Sequence, residues 1–132
     1  MTNKSRVFVV NEPLKRDPDT GAFGRAINLD PAKEHGELVF MLPPGKLPRD
    51  PQAVISDLQA AFELEDFTVN DYLVLVGDLR AIAWASAIAA QRTGGWLSVL
   101  QWDGQRRRYD IVRARLWETD AVSPLDFAQD AV

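Results

Sequence analysis

The sequence contains no cysteine, which excludes disulfides, thiolate zinc sites, iron–sulfur clusters and thiol nucleophiles by inventory. It contains one histidine, His35; a Ser-His-Asp triad or a His-based metal site would have to be built on that residue. Nothing in the sequence places a nucleophile near it, and His35 reads as the solvent-facing end of a short helical turn. No stretch approaches the roughly 20 apolar residues of a membrane helix. The polar start from Met1 to Arg6 runs directly into a short apolar segment, without the apolar region or cleavage site of a signal peptide. Both the glycine pattern of a dinucleotide site and the Gly-rich Lys-Ser/Thr loop that wraps phosphates are missing. The expectation is therefore a soluble cytoplasmic chain with no cofactor, no metal and no complete catalytic set.

What is present is ordinary globular usage: 46% hydrophobic and 26% charged residues over 132 positions, enough to bury one core. The net charge of −4 argues against a protein that coats nucleic acid, but the charge is segregated. Between Arg92 and Trp117 stand six arginines against two acids, so that segment carries +4 and the remainder −8. We expect a single domain over 1–117 and an acidic tail, 118–132, that packs loosely or frays.

Arg6–Val10 is a β-branched and aromatic run apolar at consecutive positions, the pattern of a central strand buried on both faces. Asp17-Pro18-Asp19-Thr20-Gly21 predicts a turn closing a small exposed hairpin. Asp30-Pro31 resembles a cap followed by proline at the first helical position, giving a turn that ends at Gly36. Glu37–Leu42 predicts the next strand. Asp50-Pro51 repeats the cap-and-proline start, and Val54, Ile55, Leu58 and Phe62 follow at helical spacing. Tyr72–Val76 is a further buried strand, followed by Gly77-Asp78 and an alanine-rich helix from Leu79 to about Thr93 with Gly94-Gly95 behind it. In that helix Ile82, Ala85 and Ala89 form one stripe and Trp84 with Ile88 another, nearly opposite. Trp96–Trp102 predicts a strand, Asp103-Gly104 a two-residue hairpin turn, and Arg106–Leu116 the return.

Alternating strands and helices produce parallel strands joined by right-handed crossovers. The predicted fold class is α/β: a small Rossmann-like, mostly parallel sheet of about five strands with a C-terminal antiparallel hairpin. Val7–Pro13, Asn28–Leu38, Tyr72–Asp78 and Val99–Gly104 resemble segments of a family of small uncharacterised tailed-phage and prophage proteins. The resemblance implies an origin in a phage or prophage and a place of work in the cytoplasm of a bacterial host cell. It brings no assigned activity and no catalytic residues.

Three surfaces remain as candidate sites. Trp84 and Ile88 would face outward if the sheet covers only the alanine stripe, and with Trp102 they suggest docking on a protein, either a host protein or a second copy in a homodimer. Arg106, Arg107 and Arg108, with Tyr109 following and Trp102 across the turn, could instead track a nucleic-acid backbone and stack a base; the plainer reading is an edge strand protected by charge. Gly77 and Asp78 stand where a strand end opens a helix, the place nucleotides occupy in such sheets, but Asp78 puts negative charge where a phosphate would sit, and the plainer reading is a helix cap. Glu63, Glu65 and Asp66 read as a solvated helix end rather than an acid/base pair.

Overall fold

The computed structural model describes residues 4–118; the tail expectation lies outside them. Seven strands form: β1 (Arg6–Val9), β2 (Leu14–Arg16), β3 (Phe23–Arg25), β4 (Glu37–Phe40), β5 (Tyr72–Val74), β6 (Trp96–Asp103) and β7 (Arg108–Arg115). A 3-10 helix covers Asp30–His35, and two α-helices cover Pro51–Glu65 (α1) and Leu79–Arg92 (α2). Five strands make the main sheet in the order β4-β1-β5-β6-β7, while β2 and β3 pair separately as an antiparallel hairpin. β4, β1, β5 and β6 run parallel, and β7 returns antiparallel to β6. The expected Rossmann-like sheet with its C-terminal hairpin is therefore present.

The strand order dictates where the connections lie. The chain travels one way from β1 to β4 and the other way from β4 through β5 to β6, so right-handed crossovers must use opposite faces. Accordingly, α1 and α2 share one face. There Val54, Leu58 and Phe62 of α1 and Ala81, Ala85 and Ala89 of α2 bury Phe8, Val10 and Leu73. Phe8, Phe62 and Phe67 form an aromatic knot with centroids 4.9 to 6.4 Å apart. Among the described residues, the opposite face receives the 10–36 connection, whose Leu29 and Ala32 cover Val7, Val9, Val74 and Leu100.

β1 is buried on both faces because neighbours flank it on each side and both layers cover it. Asp71 fixes its start. That carboxylate accepts from the Arg6 amide (3.0 Å), the Arg6 guanidinium (3.1 Å) and the Thr68 amide (2.8 Å). The 3-10 helix touches β4, β1 and also β7. It therefore lies across this face from one edge strand to the other.

Three local expectations change. The hairpin turn holds four residues, Gly104–Arg107, because Asp103 pairs with Arg108 and its carbonyl accepts from the Arg107 amide at 2.8 Å. Arg107 closes it at φ 56°. His35 is not solvent-facing: its side chain is 16% exposed, and Nε2–H donates to the Tyr109 carbonyl at 2.7 Å. This bond ties the 3-10 helix to β7. Asp30 lies inside the 3-10 helix rather than capping it; Leu29 holds the cap position without a side-chain bond.

Candidate functional site

In α/β sheets a ligand crevice forms beyond the carboxyl ends of the strands, where the direction of travel reverses. Here that point falls between β1 and β5, at Asn11 and Gly77-Asp78. The Asn11 amide nitrogen donates to the Pro43 and Gly45 carbonyls (2.9 and 3.2 Å), and its oxygen accepts from the Asp78 amide (3.1 Å). Gly77 adopts φ 106°, and a Cβ there would run into the Asn11 carbonyl oxygen. Asp78 caps α2, its carboxylate accepting from the amides of Arg80 (2.8 Å) and Ala81 (3.2 Å). Burial pushes the Asp78 pKa upward, but the Ala81 amide and the amide and guanidinium of Arg80 hold it below the ordinary carboxylate value. A shallow hollow of about 360 Å³ remains, edged by Lys46, Arg49 and Arg80. Gly77 and Asp78 are thus engaged in closing the switch point.

A larger opening lies one strand over. β5 leaves the ladder after Val74, where the Val76 amide turns back to the Val74 carbonyl at 3.0 Å. β6 continues to Asp103, so Gln101–Asp103 pair with β7 alone. The strands part, and a cleft of about 790 Å³ opens between Ala26–Asn28 on one wall and Leu75, Leu100, Trp102 and Tyr109 on the other, with Arg107 at its mouth. Trp102 and Tyr109 face each other across the hairpin with ring centroids 5.0 Å apart. Burial raises the Tyr109 pKa above that of free tyrosine.

Strand alternation fixes what else shares this face. Leu100 belongs to the second core, so Trp96, Ser98 and Trp102 of β6 lie on the same side. Their cross-strand partners Arg115, Arg113, Ile111 and Tyr109 join them. Trp102 is 45% exposed and Ile111 48%. Arg113 donates to the Ser98 hydroxyl (2.7 Å), and Arg115 donates to the Trp117 carbonyl while lying 5.5 Å from the Trp96 ring centre. Among the described residues, Arg107, Arg113 and Arg115 form no ion pair with an acid, whereas Arg106 lies near Asp103 and Arg108 bonds Asp110 (3.0 Å). The product is an apolar face carrying Trp96 and Trp102, edged by arginines that pair with no acid among the described residues.

Of the sequence-selected residues, the fold brings Trp102, Arg107 and Tyr109 together at the cleft. Arg106 and Arg108 stand beside them, outside its lining. Trp84 and Ile88 lie elsewhere, half-buried against the helix-side core, with the Arg80 guanidinium 5.8 Å from the Trp84 ring centre. They flank the alanine stripe rather than oppose it, and both are packed against the helix-side core. Ile27, Asn28 and Leu75 were not visible as site residues in the sequence. An exposed Ile27 among polar loop residues was the one signal available for them.

Residues 5–116 match the family model described as Phage Pam3 gp32-like protein. The chain belongs to this family. No curated protein and no solved structure matches the chain. The Pam3 gp32-like family consists of small phage and prophage proteins with no assigned activity. The sequence contains no cysteine, and among the described residues no group of three or more His, Asp or Glu is placed to hold a metal ion. Nor is any helix among them long and apolar enough to cross a membrane.

Proposed function

We propose that this Pam3 gp32-like chain folds as one domain over 1–117 and acts in the bacterial cytoplasm as a non-enzymatic binding protein. It docks on another protein, a host protein or a second copy of itself, through the cleft at Trp102 and the arginine-edged face of β6 and β7. The observation that carries this reading is the cleft: an apolar recess lined by two aromatic rings and by Arg107, which pairs with no acid among the described residues. Such recesses anchor aromatic or aliphatic side chains, and tryptophan, tyrosine and arginine are the residues most enriched at binding hot spots. The half-buried Trp84 and Ile88 contribute less to docking than the hairpin does.

A photo-crosslinking amino acid at position 102, introduced in phage-infected bacteria, tests the reading. A discrete adduct that disappears with Arg107→Ala, and that does not form from position 59 on the outer side of α1, is the expected result. Equal capture from both positions would sink it. A second reading, single-stranded nucleic-acid binding, is favoured by Arg107, Arg113 and Arg115 sharing a face with exposed indoles. Low-salt gel shifts with single-stranded DNA and RNA decide between the two: a shift abolished by Trp102→Ala and by Arg107→Ala would replace the protein-docking reading.

A further inference from the structure

The geometry points to a small-molecule site in the Trp102 cleft, one that takes a free planar aromatic anion, such as a fused-ring carboxylate, with its ring against Trp102 and its negative charge on Arg107. Binding of such a molecule needs no protein partner, so it stands apart from the docking reading although both use the same recess.

Size and lining set the class of occupant. The volume of about 790 Å³ falls inside the range of small-molecule pockets and exceeds what one inserted side chain fills. Val74, Leu100 and Tyr109, all buried, close the floor, while Ile27, Leu75 and Trp102, partly exposed, make the rim. A recess with a closed floor and an apolar rim covers most of a ligand rather than one edge of it. Its 26–28 wall is tied at both ends, by the Ala26 amide on the Pro13 carbonyl (3.2 Å) and by the buried Leu29. The recess is therefore preformed. Trp102 and Tyr109 meet at an interplanar angle of 60°, so the phenol does not lie flat on the indole. The indole keeps ring surface for a ligand, and offset stacking there favours a flat aromatic skeleton over an aliphatic one.

Charge selects the sign. Among the described residues that line the recess, Arg107 is the one ionised at neutral pH. Asn28 and Gln101 are neutral amides, and burial holds the Tyr109 phenol further toward its protonated form. The turn fixes the backbone that carries the guanidinium: the Arg107 amide donates to the Asp103 carbonyl (2.8 Å), and the Asp103 carboxylate accepts from the amides of Gln105 (3.0 Å) and Arg106 (3.2 Å). No loop has to be ordered before a carboxylate can meet this fork, and charge-assisted bonds of that kind are the strong ones. Arg106 and Arg108, on either side, face Asp103 and Asp110 instead. Asn28 adds direction. Its carboxamide oxygen accepts from the Asp30 amide at 3.0 Å, so its NH2 group is the part left to serve a ligand as donor.

The probe is 2-naphthoate, with 2-naphthalenemethanol as its neutral counterpart and 2-naphthylmethylammonium as its cationic one. Titrated into the full chain labelled with 5-fluorotryptophan, 2-naphthoate should shift the Trp102 resonance saturably while that of Trp84 stays in place. It should bind more tightly than the alcohol by about fivefold or more, and the ammonium should bind more weakly than either. Arg107→Gly should erase that ranking and keep the affinity for the alcohol, because it removes the charge and leaves the apolar surface. Ile27→Trp, which fills the recess from the opposite wall, should weaken naphthoate and alcohol together at an unchanged melting temperature.

Absence of a saturable Trp102 shift up to millimolar naphthoate would overturn the site. Equal affinities of the three naphthalenes for wild type, or a ranking that survives Arg107→Gly, would overturn the anion as its occupant. Naphthoate binding that Ile27→Trp leaves intact would put the probe outside the recess and overturn the assignment as well.

Discussion

Asn11 is 3% exposed and joins three segments that are distant in sequence: the end of β1, the Pro43–Gly45 loop and the start of α2. Alanine there would leave two carbonyls and one amide without their partner in a site water reaches poorly, and each such loss costs about 1 kcal/mol or more. Asn11→Ala should lower unfolding stability by about 3 kcal/mol in urea titration; a change under 1 kcal/mol would mean that the switch point is not held by this side chain. Asp78 presents a different balance, because its carboxylate is partly exposed and its role is that of a cap. Asp78→Ala should cost about 1 kcal/mol. Since the folded pKa is depressed, the ionised cap stabilises fully above the unfolded value near 3.8 and is lost as pH falls through the folded value below it. The variant should accordingly lose part of the stability change that wild type undergoes below pH 4, as read by chemical denaturation across that range.

The β6–β7 hairpin contains a residue in a costly conformation. Arg107 sits at φ 56° where glycine would be cheaper, a left-handed geometry that costs a non-glycine residue about 1 kcal/mol, and its side chain lines the cleft. Retaining arginine at such a position suits a binding role rather than a folding one. Arg107→Gly should stabilise the protein by up to about 1 kcal/mol in thermal melts and yet weaken capture at position 102. Lower stability would indicate that the guanidinium supports the turn itself. Legibility in the sequence also divides at this scale. Apolar runs marked β1, β4 and β5, a cap-proline start marked α1, and Gly77-Asp78 before an alanine-rich stretch marked α2, because local chemistry sets those elements. The four-residue turn was not legible, because Asp103-Gly104 matches a two-residue hairpin equally well until the register of β7 is known. The cleft was hidden for a related reason. Tyr72–Val76 is one continuous apolar run, and its departure from the ladder after Val74 is a tertiary event with no local signature.

Across the whole molecule, the two faces of the sheet differ in kind. Two helices shield one face, whereas among the described residues the other is closed by a six-residue 3-10 helix and the loop before it. Strand order set that asymmetry, and order follows from long-range pairing that composition does not encode; this is why Trp84 and Trp102, equally prominent as tryptophans, end in different environments. The asymmetry predicts a gradient of local stability, because amides open with free energies that depend on how many packed neighbours must separate. In native-state hydrogen exchange, β1 and β5 should be the slowest, being flanked by strands on both sides and covered on both faces. β2 and β3 should exchange fastest, since their hairpin pairs only with itself and its side chains are largely exposed. β7 should fall between them: bonded to β6 along its length, it is an edge strand exposed on most of its residues. Within β6, Val99 and Leu100, which lie between β5 and β7, should resemble β5, and Gln101–Asp103 should exchange faster because they pair with β7 alone. Protection of β7 equal to that of β1 would mean that its edge is covered in the free protein, placing the partner on the strand edge instead of in the recess.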